Sequence, residues 1–180
     1  MSRNSPTGVY LFLEGGEHAN SNPKLAIEEV DIHGVSLPKL LELVDSKEAY
    51  WGSGASGGTL YFTEFDGEAY LPRSPKLLVD YHVDHGFKFQ WIVDECIPTK
   101  DESIFWIALN RKPSSTDVPV EFFCQTSFWF PPTAFVDGDI AKKVIATFVR
   151  SKGKSRSRSV HWRKQVGTFS DPSEWKLFVP

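Results

Sequence analysis

The stretch from Pro75 to Glu95, PKLLVDYHVDHGFKFQWIVDE, restricts the fold more than any other part of the chain. Leu77, Val79, Tyr81 and Val83 occupy every second position, as do Phe87, Phe89, Trp91 and Val93. A period of two places each set on one face of a strand, and a helix cannot do that. Between the sets, Asp84-His85-Gly86 reads as a three-residue turn, with Gly86 suited to positive φ. The pattern predicts an antiparallel hairpin with one apolar face. Asp80, His82, Lys88 and Gln90 fall on the other face, which is expected to point outward.

The rest of the chain supplies partners for this hairpin. ESIFWIALN (102–110) is apolar throughout and reads as a central strand. VPVEFFCQTSFWF (118–130) reads as a fourth, bent strand stopped by Pro131-Pro132. LAIEEVDI (25–32) and SVHWRKQV are further strand candidates. Gly52, Gly54, Gly57 and Gly58 form a loop entering a strand at 59–65. A phosphate-binding loop would need Lys-Ser or Lys-Thr and a helix next, and neither follows. A first helix is expected after Ser36, with Pro38 in its first turn and Leu37, Leu40, Leu41 and Val44 on one face. A second is expected after Asp137 or Asp139, with Ala141, Val144, Ile145 and Phe148 as its buried stripe and Gly153 at its end. Together these elements predict an α+β fold, a mostly antiparallel sheet of five or six strands packed with two helices. Residues 1–25 are expected to be a loose or edge-pairing segment ahead of a single domain at 26–180. The closing EWKLFVP is expected to pack down Trp175, Leu177 and Phe178.

Composition suits such a core, since 41% of the 180 residues are hydrophobic and 14% aromatic. The net charge of −3 conceals an asymmetry. Between Lys142 and Lys164 there are nine basic residues and no acidic one, against eleven basic and twenty-three acidic residues elsewhere. A basic flank on an acidic body favours a charged partner. The N-terminal apolar run, Val9 to Leu13, is too short for a signal peptide or a membrane span. The expected setting is the cytoplasm, where Cys96 and Cys124 would be buried thiols; sequence alone leaves a disulfide open.

No residue set makes a convincing catalyst. Asp80-Tyr81-His82-Val83-Asp84-His85 resembles the metal motif of metallo-β-lactamase-like hydrolases, with Asp80 where the first histidine belongs. A zinc site draws converging ligands from several segments, and His161 is the only histidine downstream. Ser53, Ser56 and Ser157 fall in loops without a nucleophile elbow, and Cys124 sits in an apolar strand-like context. No enzyme, metal or cofactor is expected. Basic alternation at 152–158 (KGKSRSR) is also compatible with phosphate contacts. Its aromatic neighbours are segregated from it, however, and direct nucleic-acid binding is not expected.

The segment SFWFPPTAFVDGDIAKKVIATFVRSKGKSRSRSVHW resembles the end of the type-one Imm family, the immunity proteins of bacterial polymorphic toxin systems. That family closes with an FPP segment, an acidic cap, an amphipathic helix with a late Phe, a basic turn and a Trp-bearing strand. Phe130-Pro131-Pro132, Asp139, Val144, Phe148, Arg150, Gly153 and Trp162 occupy those places. ASGGT and LLVDYHVDHGFKFQWIVDE extend the likeness over residues 57 to 163. This chain lacks the turn proline and has a longer basic turn.

The resemblance implies a non-enzymatic protein that binds a cognate toxin domain and neutralises it by steric occlusion. Relatives are often paired with nucleic-acid deaminase toxins. An acidic body would suit the basic cleft of such a toxin. The candidate contacts are Asp80, His82, Asp84, Asp94 and Glu95 around the central hairpin, with Trp51 from the Gly-rich loop. The alternative is a nucleic-acid-binding module using the basic 142–164 flank.

Overall fold

A computed structural model of the chain describes residues 9–14, 36–45, 56–65, 70–93, 105–112, 118–124, 126–165 and 169–173. The hairpin is its centre. Strands β3 (Tyr70–His82) and β4 (Gly86–Ile92) pair antiparallel, with Leu77 opposite Trp91, Val79 opposite Phe89 and Tyr81 opposite Phe87. These six side chains are all buried in one cluster, as the alternation predicts. Gly86 takes φ +92°, and a Cβ there would collide with the Val136 carbonyl oxygen. Only glycine meets both demands.

Strand β2 (Ser56–Phe65) pairs with β3, and β1 (Val9–Glu14) pairs with β2. Gly57 and Gly58 are therefore paired strand residues, not the end of a loop. The segment ahead of residue 25 contributes β1 to the sheet. On the other side, β5 (Phe105–Leu109) lies between β4 and β9 (His161–Lys164), the central place expected of an all-apolar strand. The two-residue strand β8 (Phe135–Val136) also pairs with β4, opposite Phe87 and Lys88, while β5 pairs further along at Gln90 to Ile92. The main sheet thus has seven antiparallel strands among the described residues, in the order β1-β2-β3-β4-β5-β9 with β8 beside β4.

Two α-helices cover one face among the described residues. In α1 (Leu37–Asp45), Leu40, Leu43 and Val44 are buried, and the Lys39 amide donates to Ser36 Oγ at 3.4 Å. In α2 (Gly138–Arg150), Asp137 is the cap, its side chain accepting from the Ile140 amide at 2.8 Å. The expected stripe of Ala141, Val144, Ile145 and Phe148 is the buried face. Lys142 pairs with Asp45 across the two helices.

The other face differs from expectation. Residues 118–130 do not extend the main sheet as one bent strand. They reverse between Cys124 and Thr126 into a separate hairpin, β6 (Val120–Cys124) with β7 (Thr126–Phe130). Val120, Phe122 and Phe130 join Ile107, Leu109, Ala134, Phe135 and Phe169 in a second buried cluster. The sheet is therefore sandwiched, helices on one side and an aromatic hairpin on the other. The expected strand at 25–32, the tail at 174–180 and Cys96 lie outside the described residues, as does the Cys124 side chain.

Replacing Gly86 by alanine is expected to destabilise the fold by more than about 1–2 kcal/mol, the cost of left-handed backbone alone, because the chain must also move away from Val136. Urea unfolding would show this as a lower midpoint at unchanged slope.

Candidate functional site

Asp80 and Lys88 face each other across β3 and β4, on the side opposite the helices. The expected outward face is not outward. Lys88 Nζ lies 2.6 Å from Asp80 Oδ2, and only 2% of the lysine side chain is exposed. The same ammonium donates to Gln90 Oε1 at 2.8 Å, and Gln90 Nε2 donates to Gln165 Oε1 at 2.7 Å. Its remaining surroundings are aromatic: the Phe130 ring centre is 3.9 Å away and that of Phe122 5.3 Å. Asp80 is thus the internal counter-ion of a caged lysine, which removes it from a contact surface. The sequence marks it polar, but it is paired with a lysine over which the Phe122 and Phe130 rings of the β6–β7 hairpin lie.

His82 and Asp84 are at the tip of the central hairpin, where Asp84 faces solvent as expected, His82 does so only in part, and Val83, expected on the apolar face, is exposed. Val83, Asp84 and His85 are exposed and His82 is half-buried. The His82 and His85 rings stand 4.7 Å apart, and both lie against Phe135. The Asp84 amide donates to His82 Nδ1 at 3.2 Å, which leaves the ring proton on Nε2 in the neutral form. Burial, followed by the neighbouring His85, pushes the His82 pKa below its ordinary value, with Asp84 opposing. Asp80, needed to complete the metal-like motif, points into the interior instead. Among the described residues no group of three or more His, Cys, Asp or Glu is arranged to hold a metal ion. Trp51, Asp94 and Glu95 lie outside the described residues.

The basic turn after α2 is well built. Gly153 takes φ +72°, and its amide donates to the Phe148 carbonyl at 2.8 Å. Ser151 Oγ accepts from the Ser155 amide at 3.1 Å. Ser157 is buried, its Oγ accepting from the Ser159 amide at 3.2 Å and its carbonyl from Trp162 Nε1 at 2.9 Å. Ser157 is therefore a turn-former rather than a mobile loop hydroxyl, and Ser56 opens strand β2. Lys152, Lys154, Arg156 and Arg158 remain exposed. Arg156 stacks on Trp106, its guanidinium carbon 3.9 Å from the ring centre. That pairing spans two segments distant in sequence, and the reading of Trp106 as an ordinary strand residue misses it.

No protein-family model matches the chain, and no curated protein or solved structure matches it either. None of the helices among the described residues is long and apolar enough to cross a membrane.

Lys88→Met alone would strand the Asp80 carboxylate and is expected to cost about 3–5 kcal/mol. Lys88→Met with Asp80→Leu should lose far less, a difference readable from paired urea titrations. His82 gives a pH dependence. Its folded pKa lies below the ordinary value, so the unfolded chain takes up the proton first as pH falls. Its contribution is full above about pH 6.5 and declines below it until the folded pKa is passed. His82→Gln should flatten the fall in unfolding midpoint across that window.

Proposed function

We propose that the chain is a binding protein of the immunity type, which occupies a cognate bacterial toxin domain and blocks it sterically. The observation that carries this reading is how the residues of the resemblance behave in the fold. Phe148 meets Trp91 edge-on with ring centres 5.6 Å apart, and Trp162 meets the same ring at 6.1 Å. Gly153 closes over Phe148, and Phe130-Pro131-Pro132 leads through a 3₁₀ turn into β8 beside Gly86. Phe148, Gly153 and Trp162 thus gather around Trp91 on the helical side, while Phe130 packs in the second cluster on the other face of the sheet. A scaffold built this way would leave specificity to the surface, as a protein that recognises one toxin requires.

His82 and Asp84 are the contact candidates whose placement suits this role, together with Val83 and His85 at the same tip. The nucleic-acid alternative is less well supported. Lys142 is engaged by Asp45 and Arg156 by Trp106, so the nine basic residues of the flank do not all face outward as a phosphate track.

Co-expression with the toxin domain encoded next to this chain's gene is the direct test. Growth should be rescued, and the two purified proteins should form a stable complex. Asp84→Lys should weaken the complex by about tenfold if the hairpin tip is at the interface. Absence of both rescue and complex would overturn the reading.

A further inference from the structure

Three rings meet at the tip of the β3–β4 hairpin. The His82 and His85 rings stand 4.7 Å apart by their centres, and they lie against Phe135 at 6.0 and 5.6 Å. Phe135 is only 4% exposed, although Val83, Asp84 and His85 of the same tip all face solvent. We propose that the two imidazoles are a proton-operated cover over Phe135: neutral His82 holds the cover shut, and protonation of His82 opens it and presents an apolar ring beside the exposed Val83. The device belongs to the chain itself and stands independently of the toxin reading. A partner docking at the tip would meet one surface near neutral pH and a more apolar one in acid.

The latch is a hydrogen bond that only the neutral ring can make. His82 Nδ1 accepts from the Asp84 amide at 3.2 Å. An imidazolium carries a proton on each nitrogen and has no acceptor left. Protonation therefore sets two donors against each other, at a half-buried ring with a second imidazole beside it. The strand pairing does not depend on this contact. His82 stays opposite Gly86, and the His85 amide donates to the His82 carbonyl at 3.2 Å, a bond that protonation leaves intact. The His82 ring and the Asp84 amide move, and the hairpin holds.

The charged groups around the ring leave this latch in control. On the turn, His85 opposes a charged His82 and Asp84 favours it. Asp84 is exposed, so its attraction is weakened by water and salt. Two positions back on the same face of β3, Asp80 is held by Lys88 at 2.6 Å. On the β8 side, Phe135 and Val136 carry no charge, and Asp137 beyond them accepts from the Ile140 amide at 2.8 Å. Burial and then His85 hold the His82 pKa below its ordinary value in the closed arrangement. A ring swung into water escapes that burial, so it binds the proton more tightly than the closed ring does. A ligand shifts a population toward the state it prefers. For the proton, that means a closed cover above about pH 6.5 and an opening one as pH falls below it.

The test is NMR of the isotope-labelled full chain from about pH 8 to about pH 5. Signals of the His82 ring, the Asp84 amide and the Phe135 ring should shift with one midpoint, below about pH 6.5. Nuclear Overhauser contacts between His82 and Phe135 should be lost past that midpoint. A soluble paramagnetic relaxation agent should reach the Phe135 ring protons in the acid state and not in the neutral one. His82→Gln, whose amide oxygen can still accept from the Asp84 amide, should remove the response. His85→Gln should move the midpoint up and Asp84→Asn should move it down, as the signs of their interactions with His82 require. Contacts to Phe135 that persist below the midpoint, an Asp84 amide that does not follow the His82 ring, or a full response in His82→Gln would each overturn the proposal. Loss of the Val79 and Phe89 signals at the same pH would also overturn it, because the whole sheet would then be unfolding.

Discussion

Lys88 is a charge buried inside a sandwich of aromatic rings, and much of the architecture follows from keeping it satisfied. An isolated buried ammonium is strongly disfavoured, so its carboxylate partner must be at hand. Asp80 supplies it from directly across the hairpin, and Gln90 supplies a second acceptor. This pairing discriminates strongly between registers. A slip of β3 against β4 by one residue would turn Asp80 toward the apolar cluster on the helical face and bring apolar side chains to the lysine. The Phe130 and Phe122 rings then bind the β6–β7 hairpin to the sheet through the same cation. Replacing such a pair by apolar residues can be nearly neutral in free energy, so its value lies in specifying one arrangement.

The helical face shows the complementary solution. There the core is wholly apolar, and specificity comes from shape. Phe148 touches Phe62, Trp91 and the Gly153 backbone, so the end of α2 has one place to sit. The left-handed turn at Lys152 and Gly153 directs the chain back toward β5. Trp162 locks the return by packing on Trp91 and by donating its indole N–H to Ser157. Helix, turn and strand form one device, and the exposed cations decorate its outer surface.

The described side chains divide between core and surface in a definite way. Among the residues whose side chains are described, the aromatics are mostly core, on both sides of the sheet. Polar groups left at the surface gather at the hairpin tip, where Asp84 and His85 are exposed beside His82, and on the basic turn, where Lys152, Lys154 and Arg158 are exposed. The tip carries a carboxylate with histidines and the turn carries cations, so the two surfaces differ in charge.

Periodicity alone determined the central hairpin, the apolar stripe of α2 and the Trp-bearing strand after the basic turn, because those patterns reflect local backbone geometry; it left the α2 cap open between Asp137 and Asp139, which the structure decides for Asp137. The presence of His82 and Asp84 at an exposed tip also followed from the turn at Gly86. Local pattern did not reveal which polar residues would be covered. Asp80, Lys88 and Gln90 alternate just as surface residues do, and their burial depends on a hairpin folded from residues more than thirty positions away. Likewise, VPVEFFCQTSFWF has no Gly or Pro at its reversal, so its two strands read as one. The Arg156–Trp106 pairing arises only when β9 pairs with β5 and draws the basic turn across the sheet. Side-chain alternation reports which way a residue points, but only tertiary packing decides whether water or another layer lies on that side.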